Sequence, residues 1–102
     1  MVSLRFEWDE AKSRSNRVKH GIGFEEASLV FRDPFHVSQQ DRIEDGERRW
    51  QTIGSIGGTT IVLVAHTTTE YEADGTLIET IRIISARKTT RNERRKYENE
   101  NG

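Results

Sequence analysis

Lys19-His20-Gly21 places an ammonium beside an imidazole in a 102-residue chain. Histidine is the one side chain whose ordinary pKa suits proton transfer near neutrality, and a neighbouring lysine can hold a phosphate. Lys and His in a helix's last turn also complement its dipole, so this pair has a structural reading beside the chemical one. A second constellation is Arg82, Arg87, Arg91 and Arg94. Arginine forks bind phosphates and stabilise a pentacoordinate phosphorane during RNA cleavage. The competing reading is salt bridging to the acidic middle of the chain. A third is Glu47-Arg48-Arg49-Trp50. Its carboxylate could take the 2′-hydroxyl proton of RNA and its indole could stack on a base. Trp50 also reads as a core tryptophan on a strand. Tyr97 could pack under a sheet or reach a site. His36 and His66 read as core or edge histidines. Three separated histidines and no HExxH spacing argue against a metal centre. No P-loop, dinucleotide fingerprint or GxSxG element is present.

The elements that must position these residues are legible in part. Asp9 reads as an N-cap, and the helix it opens ends at His20, with Gly21 past its end. Ala11 and Val18 are its only apolar members, which places it on the surface. Phe24 to Phe31 has helical apolar spacing, and Asp33-Pro34 stops it. Phe35 to Ser38 reads as a strand and Asp41 to Gly46 as an acidic loop. Arg49 to Ser55, Thr60 to Thr69 and Leu77 to Ala86 read as further strands. Gly57-Gly58 and Asp74-Gly75 form the turns between them. Ile81-Arg82-Ile83-Ile84 leaves the buried face of the last strand open. Thr90 and Glu93 form a capping box for a terminal helix to about Asn99. This order predicts an α+β fold over residues 1–102 as one domain. It has one antiparallel sheet of about four strands plus a short N-terminal strand, two N-terminal helices and one C-terminal helix.

Composition narrows the classes. Hydrophobic residues and charged residues each make up 32% of the chain, so the core is small. The longest nearly apolar run, Ile61 to Ala65, is too short for a membrane span. The chain has no cysteine, which excludes disulfides and thiolate chemistry and fits a reducing cytoplasm. Net charge is −1, yet residues 82–97 hold seven basic groups against one acidic group. That block reads as a local anion-binding face for nucleic acid or an acidic protein.

Read together, the motifs resemble the BrnT family. Phe6-Glu7-Trp8-Asp9, Lys12, Asn16, Lys19-His20-Gly21, Phe24-Glu25-Glu26-Ala27 and Phe31 to Pro34 are similar to its N-terminal signature. Glu47-Arg48-Arg49-Trp50 with Ile53-Gly54 is similar to its Glu-Arg-Trp segment, with one arginine more. Ile81 to Arg87, then Glu93 and Tyr97, are similar to its C-terminal signature.

The resemblance implies a RelE-like fold and the toxin of a type II toxin–antitoxin pair. It implies metal-independent RNA cleavage that halts translation, with no cofactor. The implied partner is a BrnA-type antitoxin, with operator DNA bound only through the complex. Mapped onto this chain, His20, Glu47, Arg82 and Arg87 are the expected catalytic positions. Lys19, Arg49, Trp50, Arg91, Arg94 and Tyr97 are the expected RNA contacts. The alternative is a non-catalytic module whose arginine face docks an antitoxin-like protein or RNA.

Overall fold

A computed structural model describes residues 2–101 of the chain. Strand β1 (Val2–Glu7) leads to helix α1 (Glu10–His20) and the short helix α2 (Phe24–Ala27), which continues as a 3-10 helix over Ser28–Arg32. Four strands follow: β2 (Val37–Glu44), β3 (Glu47–Ile56), β4 (Thr60–Ala73) and β5 (Thr76–Lys88). Helix α3 (Arg91–Asn101) ends the described chain. The sheet order is β1-β5-β4-β3-β2.

The α+β class holds, but the sheet is mixed rather than purely antiparallel. β1 lies parallel to β5, with Phe6 beside Ile81 and Glu7 beside Arg82. The N-terminal strand crosses over through α1, α2 and the meander, so its direction is set by the crossover rather than by a hairpin. The expected acidic loop over Asp41 to Gly46 is also corrected. β2 runs through Glu44, and the turn is only Asp45-Gly46, with φ of 51° and 79°. Both central residues are left-handed, as a tight primed hairpin turn requires. The second predicted helix winds down into 3-10 geometry after Ala27.

Phe24, Ala27 and Val30 are fully buried against Val62, Val64, Ile81, Ile83 and Ala86 on one sheet face. Gly54 allows this approach: a Cβ there would sit 2.8 Å from a Val30 methyl. Helix α1 turns Ser13 and Asn16 inward, while Val18 is 89% exposed. Its packing is therefore polar. The Ser13 hydroxyl accepts from the Phe24 N–H at 2.9 Å. Helix α3 lies against the other face, where the Lys96 ammonium donates to Gln39 and Glu93 meets Arg87.

Two helical-layer side chains complete the sheet where an outer strand stops short. β1 pairs with β5 only as far as Arg82. Beyond it, the Asn16 amide donates to the Ala86 carbonyl at 2.7 Å and accepts from the Ala86 N–H at 3.3 Å. β2 pairs with β3 only as far as Ile53. There the Asp33 carboxylate accepts from the Ser55 N–H at 2.8 Å. Each side chain satisfies backbone groups that burial would otherwise leave unpaired.

Candidate active site

Strand β5 carries Arg82, Ser85 and Arg87. Arg82 and Arg87 are five residues apart, so strict alternation would send them to opposite faces. The register breaks this parity. Arg87 opposes Leu63, Ser85 opposes Ala65 and Arg82 opposes Thr67, with Ile84 left out of register. Leu63, Ala65 and Thr67 alternate along β4, so all three β5 residues project to one face. A β-bulge at Ile84 therefore gathers both arginines on the face that α3 partly covers.

Lys19 and His20 reach the edge of the same stretch. Asn16 pins α1 to Ala86, and Gly21 at φ 76° ends the helix there. Lys19, His20, Lys12 and Asn16 then share a cleft of about 230 Å³ with Ile84 and Ser85. So Lys19 and His20 reach Ile84 and Ser85, inside the six-residue stretch of β5 that Arg82 and Arg87 bound.

Arg49 joins this face from β3. It precedes Trp50, the register partner of His66, and so projects to the same side as Thr67. Thr67, only 5% exposed, stands between Arg49 and Arg82. The Arg49 Nε is enclosed with no hydrogen-bond partner among the described residues. Its guanidinium lies 3.9 Å from both Glu44 and Glu47. Glu47 is exposed at the start of β3, on the Arg49 face but away from the His20 cleft.

The other candidates separate from this group. Trp50 faces the opposite side. It lines a cavity of about 350 Å³ with Phe31, His36, His66, Glu70 and Glu79. His66 packs edge-on to Phe31 with ring centroids 5.0 Å apart. Its Nε2 is 2.7 Å from the Thr52 hydroxyl, and burial lowers its pKa. Burial and the facing Glu70 push Glu79 up. Tyr97 donates to the Asp33 carboxylate at 2.6 Å, which raises its own pKa to about 12. Burial would raise the Asp33 pKa, but bonds from Tyr97, Ser55 and Phe35 outweigh it and hold the pKa low. Arg91 and Arg94 line a different cleft, against the start of β4 and the end of β5.

Arg87 is already engaged. It makes a two-pronged pair with Glu93 at 2.8 and 2.9 Å. The bond from Arg87 pulls Glu93 down to about 2, and Thr90 assists it. The same bond raises the pKa of Arg87. Glu93 also accepts from the Thr90 N–H at 2.9 Å, so the capping box positions the carboxylate that orients Arg87. Sequence reasoning assigned no role at the site to Asn16, Asp33 or Glu93. Asp33-Pro34 carried a signal for one of them, because an aspartate before a turn bonds the N–H two residues on, here Phe35 at 2.9 Å.

The described helices include none long and apolar enough to cross a membrane. No group of three or more His, Asp or Glu among the described residues is arranged to hold a metal.

No curated protein matches the chain. A solved structure of the Brucella abortus ribonuclease toxin BrnT aligns with a TM-score of 0.52 and 20% identity. It covers 89% of this chain and 99% of that one. That likeness concerns the fold. The pattern of the family described as "Ribonuclease toxin, BrnT, of type II toxin-antitoxin system" matches residues 8–93, most of the sequence and the whole β5 stretch. The chain belongs to the BrnT family of ribonuclease toxins.

Proposed function

We propose that this chain is an endoribonuclease whose site is built on β5. The observation that supports it is the Ile84 bulge, which turns Arg82, Ser85 and Arg87 to one face beside the Lys19/His20 cleft. A scissile phosphate seated over Ser85 has an arginine on either side along the strand. A base removes the 2′-hydroxyl proton, and the 2′-oxygen attacks the adjacent phosphorus. Arg82 and Arg87 hold the charge that develops on the phosphorane oxygens. An acid then protonates the departing 5′-oxygen, leaving a 2′,3′-cyclic phosphate. His20, at the edge of this stretch, is one proton carrier. Glu47, on the same face beside Arg49 but away from that cleft, is the alternative carrier to His20.

Within the same proposal, residues 1–102 act as one RelE-like toxin domain in the cytoplasm and inhibit translation by cutting RNA. A BrnA-type antitoxin neutralises it, and operator DNA is contacted only through that complex. Incubation of the purified chain with single-stranded RNA tests the activity. The expected result is fragments ending in 2′,3′-cyclic phosphate. Retention of intact RNA, with binding weakened by salt, would support the non-catalytic docking module instead.

A further inference from the structure

One cleft lies outside that site. It is formed by the start of β4, the end of β5 and the first turns of α3, and it measures about 380 Å³. Thr59, Thr60, Lys88, Thr89, Arg91 and Arg94 line it, and no carboxylate does. Lys88 and Arg91 make no ion pair among the described residues, and Arg94 only approaches Glu98 at 3.9 Å. The wall is fixed: the Thr89 N–H donates to the Ile61 carbonyl at 3.2 Å. The end of α3 supplies little itself, since Thr90 and Glu93 satisfy each other's backbone N–H groups. The charge in the cleft therefore comes from three side chains with little neutralisation. Lys88 directly follows Arg87 at the end of β5.

We infer that this cleft is a phosphodiester subsite, which holds the backbone of single-stranded RNA at a nucleotide flanking the one that is cut. Three cations with neighbouring hydroxyl donors match a phosphate, which accepts several bonds on tetrahedral oxygens. Arg87 opposes Leu63 and Lys88 opposes Val62, so the two take opposite faces of β5. An RNA strand that leaves the Arg87 face reaches the cleft by passing round the end of β5 to Arg91 and Lys88. The identity of the ligand as RNA rests on the ribonuclease reading above. The subsite accounts for how a chain of net charge −1 attracts a polyanion: the affinity is local.

The test uses the whole chain and a 2′-O-methyl oligoribonucleotide, which binds but cannot be cut. The variant is Lys88→Ala/Arg91→Ala/Arg94→Ala. All three side chains are exposed, so the fold tolerates the change. Affinity for a probe of about 12 nucleotides should fall at least about tenfold, and the slope of log affinity against log salt should flatten by about 1–2. Affinity for a probe too short to reach the cleft should hold. Arg91→Lys/Arg94→Lys, which keeps the charge, should restore most of the slope.

Unchanged affinity and slope, or equal loss on both probes, would overturn the subsite. So would failure of the unaltered chain to bind the long probe, or loss of affinity for a protein partner alone. If cleft-dependent binding persists while unmodified RNA stays intact, the subsite stands and the cleavage reading fails.

Discussion

Arg82 and Arg87 stand five residues apart on one strand and share one face, because Ile84 drops out of register between them. The bulge makes a two-arginine clamp from a spacing that a regular strand would split. If the clamp stabilises the phosphorane, Arg82→Ala and Arg87→Ala should each cost about 10²-fold in kcat, comparable to losing one oxyanion donor. Single-turnover cleavage of a defined RNA by the folded variants measures this. A full-rate Arg87→Ala enzyme would remove that residue from the clamp.

Glu93 holds Arg87 in place and is itself held low, at about 2. A depressed carboxylate stabilises the fold above its ordinary pKa of 4.5 and loses that contribution as pH falls toward 2. Glu93→Gln should therefore cost about 1 kcal/mol at neutral pH, a modest figure because the pair is partly exposed. It should cost little near pH 2. Urea unfolding at both pH values shows the difference, and an equal penalty at each would refute it.

Asn16 closes the β5 edge with bonds to both backbone groups of Ala86 and with one to the Ile22 carbonyl at 2.7 Å. Asn16→Ala leaves buried backbone groups unpaired and should destabilise by about 2–4 kcal/mol. It also frees α1, and with it His20, from β5. A thermal melt lowered by about 10 °C or more, with cleavage weakened below the melt, is the expected pair of results. An unchanged melting temperature would contradict this account of the edge.

Tyr97 anchors α3 to Asp33. Its folded pKa of about 12 lies above the ordinary 10.0, so the contribution is complete below pH 10.0 and fades as pH climbs toward 12. Tyr97→Phe should cost about 1 kcal/mol at neutral pH and remove that alkaline loss. Stability measured from pH 8 to 12 would expose a wrong sign (the range set by the shift on Tyr97).

How much of this was readable from sequence differs by element. Helix α1 was bounded correctly because Asp9 and Gly21 are strong end signals. Its buried face was not, because its contacts are polar and made by Ser13 and Asn16. Asp41 to Gly46 hid a strand end because β2 is charged and exposed, so no apolar alternation marks it. Yet Asp45-Gly46 carries the same turn chemistry that was recognised at Asp74-Gly75. The parallel pairing of β1 depends on a contact some 75 residues away in sequence, which local pattern does not encode. The residue types of the site were visible. Their assembly was not, because the bulge decides which arginines share a face and the pairing of β3 with β4 decides which side Trp50 takes.

The most direct test is cleavage of a single-stranded RNA by the purified chain, beside a folded His20→Ala/Arg87→Ala variant, with the product ends identified. The account predicts 2′,3′-cyclic phosphate ends from the unaltered chain and loss of cleavage in the variant. Intact RNA from the folded, unaltered chain, or undiminished cleavage by the variant, would contradict it.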